Sequence, residues 1–289
     1  MDQYKIDSLT DGLRLNGRVF CPNFAPQDCR AVISLVHGFS EHSGRYAHIA
    51  KTLNETGIAL NAIDLRGHGL SEGKRGHISN FSDFYGDVDA LVKDTRQRFP
   101  DIPHFVMGHS MGGSIVLNYK LTRDLPQIMG YIATGPLLRL AKPAPEILRP
   151  LMMALRTFMP NLTFGKKVSG KDISTLPSEA KAYEDDPLIH GKLSPALALD
   201  MIDYGASALA RADQWKAPLL LMHGEADAVT DCAATIEFKS RSGPDTSLRT
   251  FEKAYHEIHN DICRKDVYND IINFVTTEIN SRDLANTYI

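Results

Sequence analysis

A serine between glycines is the first feature of this chain that could do chemistry: Gly108-His109-Ser110-Met111-Gly112. Glycine on either side permits a sharp strand-to-helix turn, where larger side chains would collide with neighbouring backbone. A helix starting after the serine would aim its first N–H groups and the positive end of its dipole at charge developing on an attacked carbonyl. The Met111 N–H is one expected donor to that oxyanion, and His37-Gly38-Phe39 offers the Phe39 N–H as a second. A serine hydroxyl is a weak nucleophile until a base takes its proton, and that base needs an acid to hold its tautomer. Downstream, His223-Gly224-Glu225-Ala226-Asp227 supplies two acids and Ala254-Tyr255-His256-Glu257-Ile258-His259 supplies two imidazoles. Asp227 is preferred to Glu225 because it sits deeper in its segment. His256 is preferred to His259 because it lies nearer the preceding apolar run, and His259 is expected to start the last helix. The expected chemistry is acyl transfer, with Ser110 as nucleophile, His256 as base and Asp227 as the orienting acid.

Each feature follows a short apolar, β-branched run, and that context makes the set specific where the pentapeptide alone is weak. The runs are Ala31–Val36, 57–63, 104–107, Ile128–Thr134, 218–222 and 248–251. Residues 45–54, 81–99 and 112–122 carry apolar positions at helical spacing between them, which predicts a mostly parallel sheet flanked by helices. Strands this apolar suit burial on both faces. Residues 4–21 read as an antiparallel hairpin turning at Thr10-Asp11-Gly12. Ser82 is expected to cap the second helix and Pro100 to stop it. After Pro136 the pattern changes to proline-rich, strand-free sequence as far as residue 210. The expected organisation is a core of 1–136 and 211–289 with a helical cap, 137–210, inserted between them.

The 289 residues are 43% hydrophobic and 23% charged, ordinary for a chain that buries a large core. A formal net charge of −3 gives no basic excess for a phosphate backbone, so nucleic acid is not an expected partner. Cys21, Cys29, Cys232 and Cys263 show no metal or disulfide spacing, so reduced thiols, no metal and a cytoplasmic location are expected. The acidic start lacks a secretory apolar stretch, and no apolar run approaches the roughly 20 residues needed to span a bilayer. Any membrane contact is therefore expected to be peripheral.

The chain resembles the monoglyceride lipases and lysophospholipases of the α/β-hydrolase fold. The resemblance rests on His37-Gly38-Phe39-Ser40-Glu41-His42-Ser43-Gly44-Arg45-Tyr46, on Asp64-Leu65-Arg66-Gly67-His68-Gly69-Leu70-Ser71, on the serine elbow, and on the segment around His256. It implies a carboxylic ester hydrolase with nucleophile Ser110, acid Asp227, base His256 and oxyanion donors Phe39 and Met111. It also implies a mobile helical cap, no metal or organic cofactor, and monoacyl lipid-like esters as substrates. Residues 137–210 depart most from the family, so the acyl group stays open, and short esters, thioesters and amides remain alternatives.

Leu148, Leu151, Met152, Leu155, Phe158 and Met159 form a helical stripe in that segment. Packing on the core is its expected role, with a pocket wall or a transient peripheral membrane contact as the alternatives. Glu41, His42, Arg45, Asp64 and Arg66 are expected to shape their loops through local pairing.

Overall fold

The computed structural model describes residues 1–22, 25–165 and 167–287. Its strands are β1 (Asp2–Asp7), β2 (Arg14–Phe20), β3 (Ala31–Val36), β4 (Ile58–Ile63), β5 (His104–His109), β6 (Ile128–Thr134), β7 (Leu219–Gly224) and β8 (Thr246–Phe251). They form one sheet in the order β1-β2-β4-β3-β5-β6-β7-β8. Only β1 with β2 and β2 with β4 pair antiparallel. The rest are parallel, as the two-sided apolar runs predict.

Helices α1 (Ala47–Glu55), α2 (Asp83–Arg98) and α3 (Met111–Thr122) occupy the crossovers. Then come α4 (Arg149–Phe158), α5 (Gly170–Ile173), α6 (Pro177–Asp185), α7 (Pro195–Ala210), α8 (Cys232–Arg241) and α9 (Arg264–Thr287). Alternation along each strand divides the core into two layers. Val36, Val106, Ala133, Leu219 and Leu221 meet α2, α3, α7 and α8 on one face. Leu35, Met107, Ile132, Leu220 and Met222 meet α1 and α9 on the other. Each Val, Leu, Ile or Met side chain among them stabilises the fold by about 1.5–3 kcal/mol when withdrawn from water, before entropy is set against it.

Three expectations need correction. Ser82 makes no capping bond: its backbone is already helical (φ −62°, ψ −15°), so its hydroxyl is not turned back on the first-turn N–H groups. His259 lies in a single 3₁₀ turn, Ile258–Asn260, ahead of α9. The stripe on α4 does not pack on the core, because α4 lies against α7 and not on the sheet. Ion pairs Arg149–Asp203 (2.9 Å) and Arg156–Asp200 (2.6 Å) hold one edge of α4 there. Met152 and Leu155 are half-buried, whereas Leu151 is 54% and Phe158 82% exposed. Among the described residues, no strand of the sheet falls between β6 and β7, and no helix is long and apolar enough to cross a membrane.

Candidate active site

Ser110 follows β5 directly and precedes the first residue of α3. Its backbone sits at φ 55°, a left-handed conformation that costs about 1–3 kcal/mol for a residue with a Cβ. The surroundings impose it. The Ser110 N–H donates to Thr134 O (3.0 Å), and its carbonyl accepts from the N–H groups of Ser114 (3.1 Å) and Leu137 (2.9 Å). A Cβ on Gly108 would overlap the Gly112 carbonyl, and one on Gly112 would overlap the carbonyls of Val36 and His37. The two glycines of the pentapeptide are thus required by close backbone approach, as expected.

The loops after β7 and β8 bring Asp227 and His256 to this elbow from 117 and 146 positions downstream of Ser110. His256 Nε2 lies 2.9 Å from Ser110 Oγ, and His256 Nδ1 lies 2.7 Å from Asp227 Oδ2. A carboxylate only accepts, so Nδ1 carries the imidazole proton, and neutral Nε2 is left to accept from the serine hydroxyl. All three side chains are buried. Burial alone would lower the pKa of His256, but the charge and hydrogen bond of Asp227 outweigh it and the pKa is raised. Burial alone would raise Asp227, yet His256 and His223 hold it well below the usual carboxylate range.

Composition and spacing did not reveal how Asp227 itself is held. Its Oδ1 accepts from the N–H groups of Val229 (2.7 Å) and Thr230 (3.0 Å). Its Oδ2 also accepts from the Thr230 hydroxyl (2.7 Å) and from His223 Nε2 (3.1 Å). His223 is oriented in turn by Thr235 Oγ1 at 2.8 Å. Glu225 is exposed and accepts from the Thr250 hydroxyl (2.7 Å), outside this cluster. His259 is fully buried, stacked on Tyr46 at 4.9 Å and edge-on to His109 at 4.8 Å, and makes no bond to Ser110 or Asp227. Burial pushes its pKa well down, so it is a neutral packing group.

On the other side of Ser110, the loop after β3 presses close: a Cβ on Gly38 would lie 3.1 Å from Ser110 Cβ. The Gly38 N–H donates to Glu41 Oε1 (2.6 Å), and Tyr46 Oη donates to the same oxygen (2.9 Å). Arg45 pairs with Glu257 at 2.5 Å and with Glu41 at 3.6 Å. Burial, with Glu257 nearby, pushes the Glu41 carboxyl up to about 7. His42 Nε2 meets Asp186 at 2.8 Å, Asp64 meets Arg18 at 2.8 Å, and Arg66 meets Asp87 at 2.7 Å. These charges shape loops, as their pairing predicts. Met111 opens α3, so its N–H has no partner in the preceding turn.

An apolar cavity of about 560 Å³ opens beside the elbow, between α4, α7 and the segment after β6. Leu137, Leu138, Leu148, Met152, Ala198 and Leu209 are among its walls. Leu137 is also the residue whose N–H bonds the Ser110 carbonyl. A larger hollow of about 850 Å³ lies at the amino ends of the strands, near Arg96, His104 and Gln127. None of the three residues gathered at the elbow lines either cavity, but the smaller one reaches Leu137, which is hydrogen-bonded to Ser110. Serine, imidazole and carboxylate joined by hydrogen bonds of 2.9 and 2.7 Å, at the N-terminus of α3, can form and hydrolyse an acyl-serine.

The family described as "Serine aminopeptidase, S33" matches residues 27–262. A monoacylglycerol lipase of Mycolicibacterium smegmatis is 33% identical over 273 residues, covering 93% of this chain and 95% of that one. An uncharacterized abhydrolase domain-containing protein of Dictyostelium discoideum is 32% identical over 272 residues; these cover 93% of this chain but 28% of that longer protein. Among solved structures, the crystal structure of Paleococcus ferrophilus monoacylglycerol lipase superposes with a TM-score of 0.81 at 30% identity, covering 96% of this chain and all of that one.

Proposed function

The chain belongs to the serine aminopeptidase family of α/β-hydrolases, and on that premise we propose that it hydrolyses monoacyl esters such as monoacylglycerols through an acyl-enzyme on Ser110. The observation that carries this reading is the line Ser110 Oγ, His256 Nε2, His256 Nδ1, Asp227 Oδ2, closed at 2.9 and 2.7 Å. An ester enters with its carbonyl oxygen toward the Phe39 and Met111 N–H groups. His256 takes the Ser110 proton as Oγ attacks, and collapse of the tetrahedral intermediate releases the alcohol with that proton. A water then gives its proton to His256, attacks the acyl carbonyl, and frees the acid and Ser110. Asp227 stays ionised throughout, which its depressed pKa supports.

The apolar cavity beside Leu137 supports an acyl chain of some length, and we read residues 137–210 as a cap over it. Exposed Ile147, Leu151 and Phe158 support transient contact of that cap with a lipid surface by a cytoplasmic enzyme. Hydrolysis of p-nitrophenyl esters of increasing chain length, with a monoacylglycerol alongside, tests the substrate class. Medium-to-long esters and the monoacylglycerol are expected to dominate kcat/KM. A preference for acetate alone would make this a short-chain carboxylesterase.

His256 must be neutral to accept the serine proton, and its pKa lies above the ordinary 6.5. Activity is therefore absent below that pKa and appears as pH rises through it. A pH profile of kcat/KM is expected to show an acid limb with its midpoint above 6.5. Asp227 is held too low to add a second limb near neutrality. A midpoint below 6.5 would contradict the pairing of His256 with Asp227.

A further inference from the structure

We propose that the hollow at the amino ends of the strands is a second binding site, which takes a small anionic amphiphile: one oxyanion head on an alkyl tail. This site goes beyond ester hydrolysis and does not depend on it. The cavity, about 850 Å³, lies between the carboxyl end of α2 on one face of the sheet and the last turns of α9 on the other. Strand β5 starts at its wall with His104 and ends at His109, next to Ser110. At about 3.3 Å per strand residue the two ends are roughly 20 Å apart, so a ligand held here is out of reach of the nucleophile.

The basic side chains on the wall point to the charge of the ligand. Among the described residues, Arg96 and Arg282 are the two arginines with neither an ion pair nor a hydrogen bond, and both line this cavity. The others are bonded, to carboxylates or to backbone carbonyls. An exposed arginine can satisfy its donors with water, and Arg96 stands in the last turn of α2, where the helix dipole favours a cation by about 0.3–1 kcal/mol. Neither reason brings Arg282 to the same place, since it comes from a different helix and lies before its last turn. Lys93 is a third cation on the wall. Of the two carboxylates there, Asp89 is committed to Arg123 (2.9 Å) and to the Tyr119 hydroxyl (2.7 Å). Three cations against the one uncompensated carboxylate, Asp101, leave an excess of two positive charges, in a chain whose formal net charge is −3. The positive field extends to the buried part of the wall. His104 is buried, and the nearby Arg96 charge adds to burial in pulling its pKa down to about 3. Its Nε2 lies 2.8 Å from Ser34 Oγ, while Nδ1 has no partner among the described residues.

The rest of the wall selects the tail. Val92, Phe99, Ile102, Leu125, Met129 and Ile279 give the cavity an apolar side beside its cations. A purely inorganic anion would leave that side wet, and an uncharged alkyl chain would leave the two guanidinium groups without an acceptor. An alkyl carboxylate or alkyl phosphate meets both, its oxygens accepting charge-assisted bonds from Arg96 and Arg282.

Methionine methyl groups report on the two cavities separately, because Met129 lines this one and Met152 lines the apolar cavity beside Leu137. Protein carrying ¹³C-methyl methionine, its two signals assigned through Met129→Leu and Met152→Leu, is titrated with decanoate, decyl phosphate and decanol below their micelle concentrations. Saturable shifts of the Met129 signal are expected with both anions, and decanol should need at least about tenfold higher concentration. In Arg96→Gln/Arg282→Gln the Kd read at Met129 should rise about 30-fold, roughly fivefold for each exposed pairing, with the response at Met152 unchanged. Both arginines are exposed and hold no other group, so the melting temperature of this variant should match that of wild type. Lys51→Gln/Lys171→Gln removes two exposed charges elsewhere and should leave the Kd at Met129 within about twofold. Tighter binding of decanoate would identify a free fatty acid as the ligand, and tighter binding of decyl phosphate a phosphate-headed lipid; both support the site. A Met129 signal that does not move, decanol binding there as tightly as the anions, or equal weakening in the two double variants would overturn the proposal. Loss of the hydrolase reading would leave these outcomes untouched, because none of them uses turnover or Ser110.

Discussion

Ser110→Ala is expected to lower kcat by a factor on the order of 10⁶ while leaving the melting temperature close to that of wild type. The loss is large because the nucleophile is removed from a cluster that acts as a unit: without Oγ, His256 has no proton to take and Asp227 has no imidazolium to stabilise. What remains is the catalysis that bound water obtains from the oxyanion donors and from substrate binding, roughly 10³–10⁴ over solution. Stability should change little, since Ser110 is held by its own backbone bonds to Thr134, Ser114 and Leu137, and alanine keeps all of them. Alanine also keeps the Cβ, so the strain at φ 55° is neither relieved nor increased. Turnover of a p-nitrophenyl ester at matched protein concentration, with a thermal melt beside it, measures both. Retention of kcat within about tenfold would remove Ser110 from the mechanism, because no single-residue contribution that small fits a covalent nucleophile.

The parts of this site legible in the sequence are those where a local steric or pattern constraint leaves a mark. Doubly buried parallel strands are mostly apolar, so β3, β4, β5, β6 and β7 stand out as short runs. The edge strand β8 alternates exposed and buried residues, and its polar start at Thr246 and Ser247 escapes notice for that reason. The elbow is legible because backbone crowding at Gly108 and Gly112 admits no other residue. The supports of the site are not legible. Thr230 and His223 reach Asp227, and His37 reaches Leu65, through positions that only the completed sheet juxtaposes. A histidine after a strand looks the same whether its ring lies idle or carries two directional bonds. The α4 stripe misleads in the opposite direction, since helical periodicity reports an apolar face and not what covers it. Cys21 and Cys29 illustrate the same limit: their sulfurs lie 3.8 Å apart, a contact that their spacing does not announce.

Asp227→Asn should cost about 10⁴ in kcat, by analogy with the same change in other serine–histidine–aspartate sites, with much smaller effects on KM and on folding. The reason is the tautomer. Asp227 Oδ2 requires a donor from His256 Nδ1 at 2.7 Å, which leaves Nε2 free to take the Ser110 proton. The side chain is pinned by the backbone N–H groups of Val229 and Thr230 on Oδ1 and by His223 and the Thr230 hydroxyl on Oδ2. An asparagine in that grip keeps its oxygen on the two backbone donors and turns its amide nitrogen toward His256. The imidazole must then present a bare Nδ1 to that nitrogen, and its proton moves to Nε2, where it faces the serine hydroxyl and cannot act as a base. His223 and the Thr230 hydroxyl lose their acceptor in the same step, so a modest fall in melting temperature should accompany the loss. Glu225→Gln is the control, because Glu225 is exposed, bonds Thr250, and should leave kcat near wild type. Parallel kcat measurements on the two variants decide which acid the histidine uses. A large loss in Glu225→Gln with Asp227→Asn still active would reassign the role, and equal losses would mean that loop integrity, not tautomer control, is what the substitutions disturb.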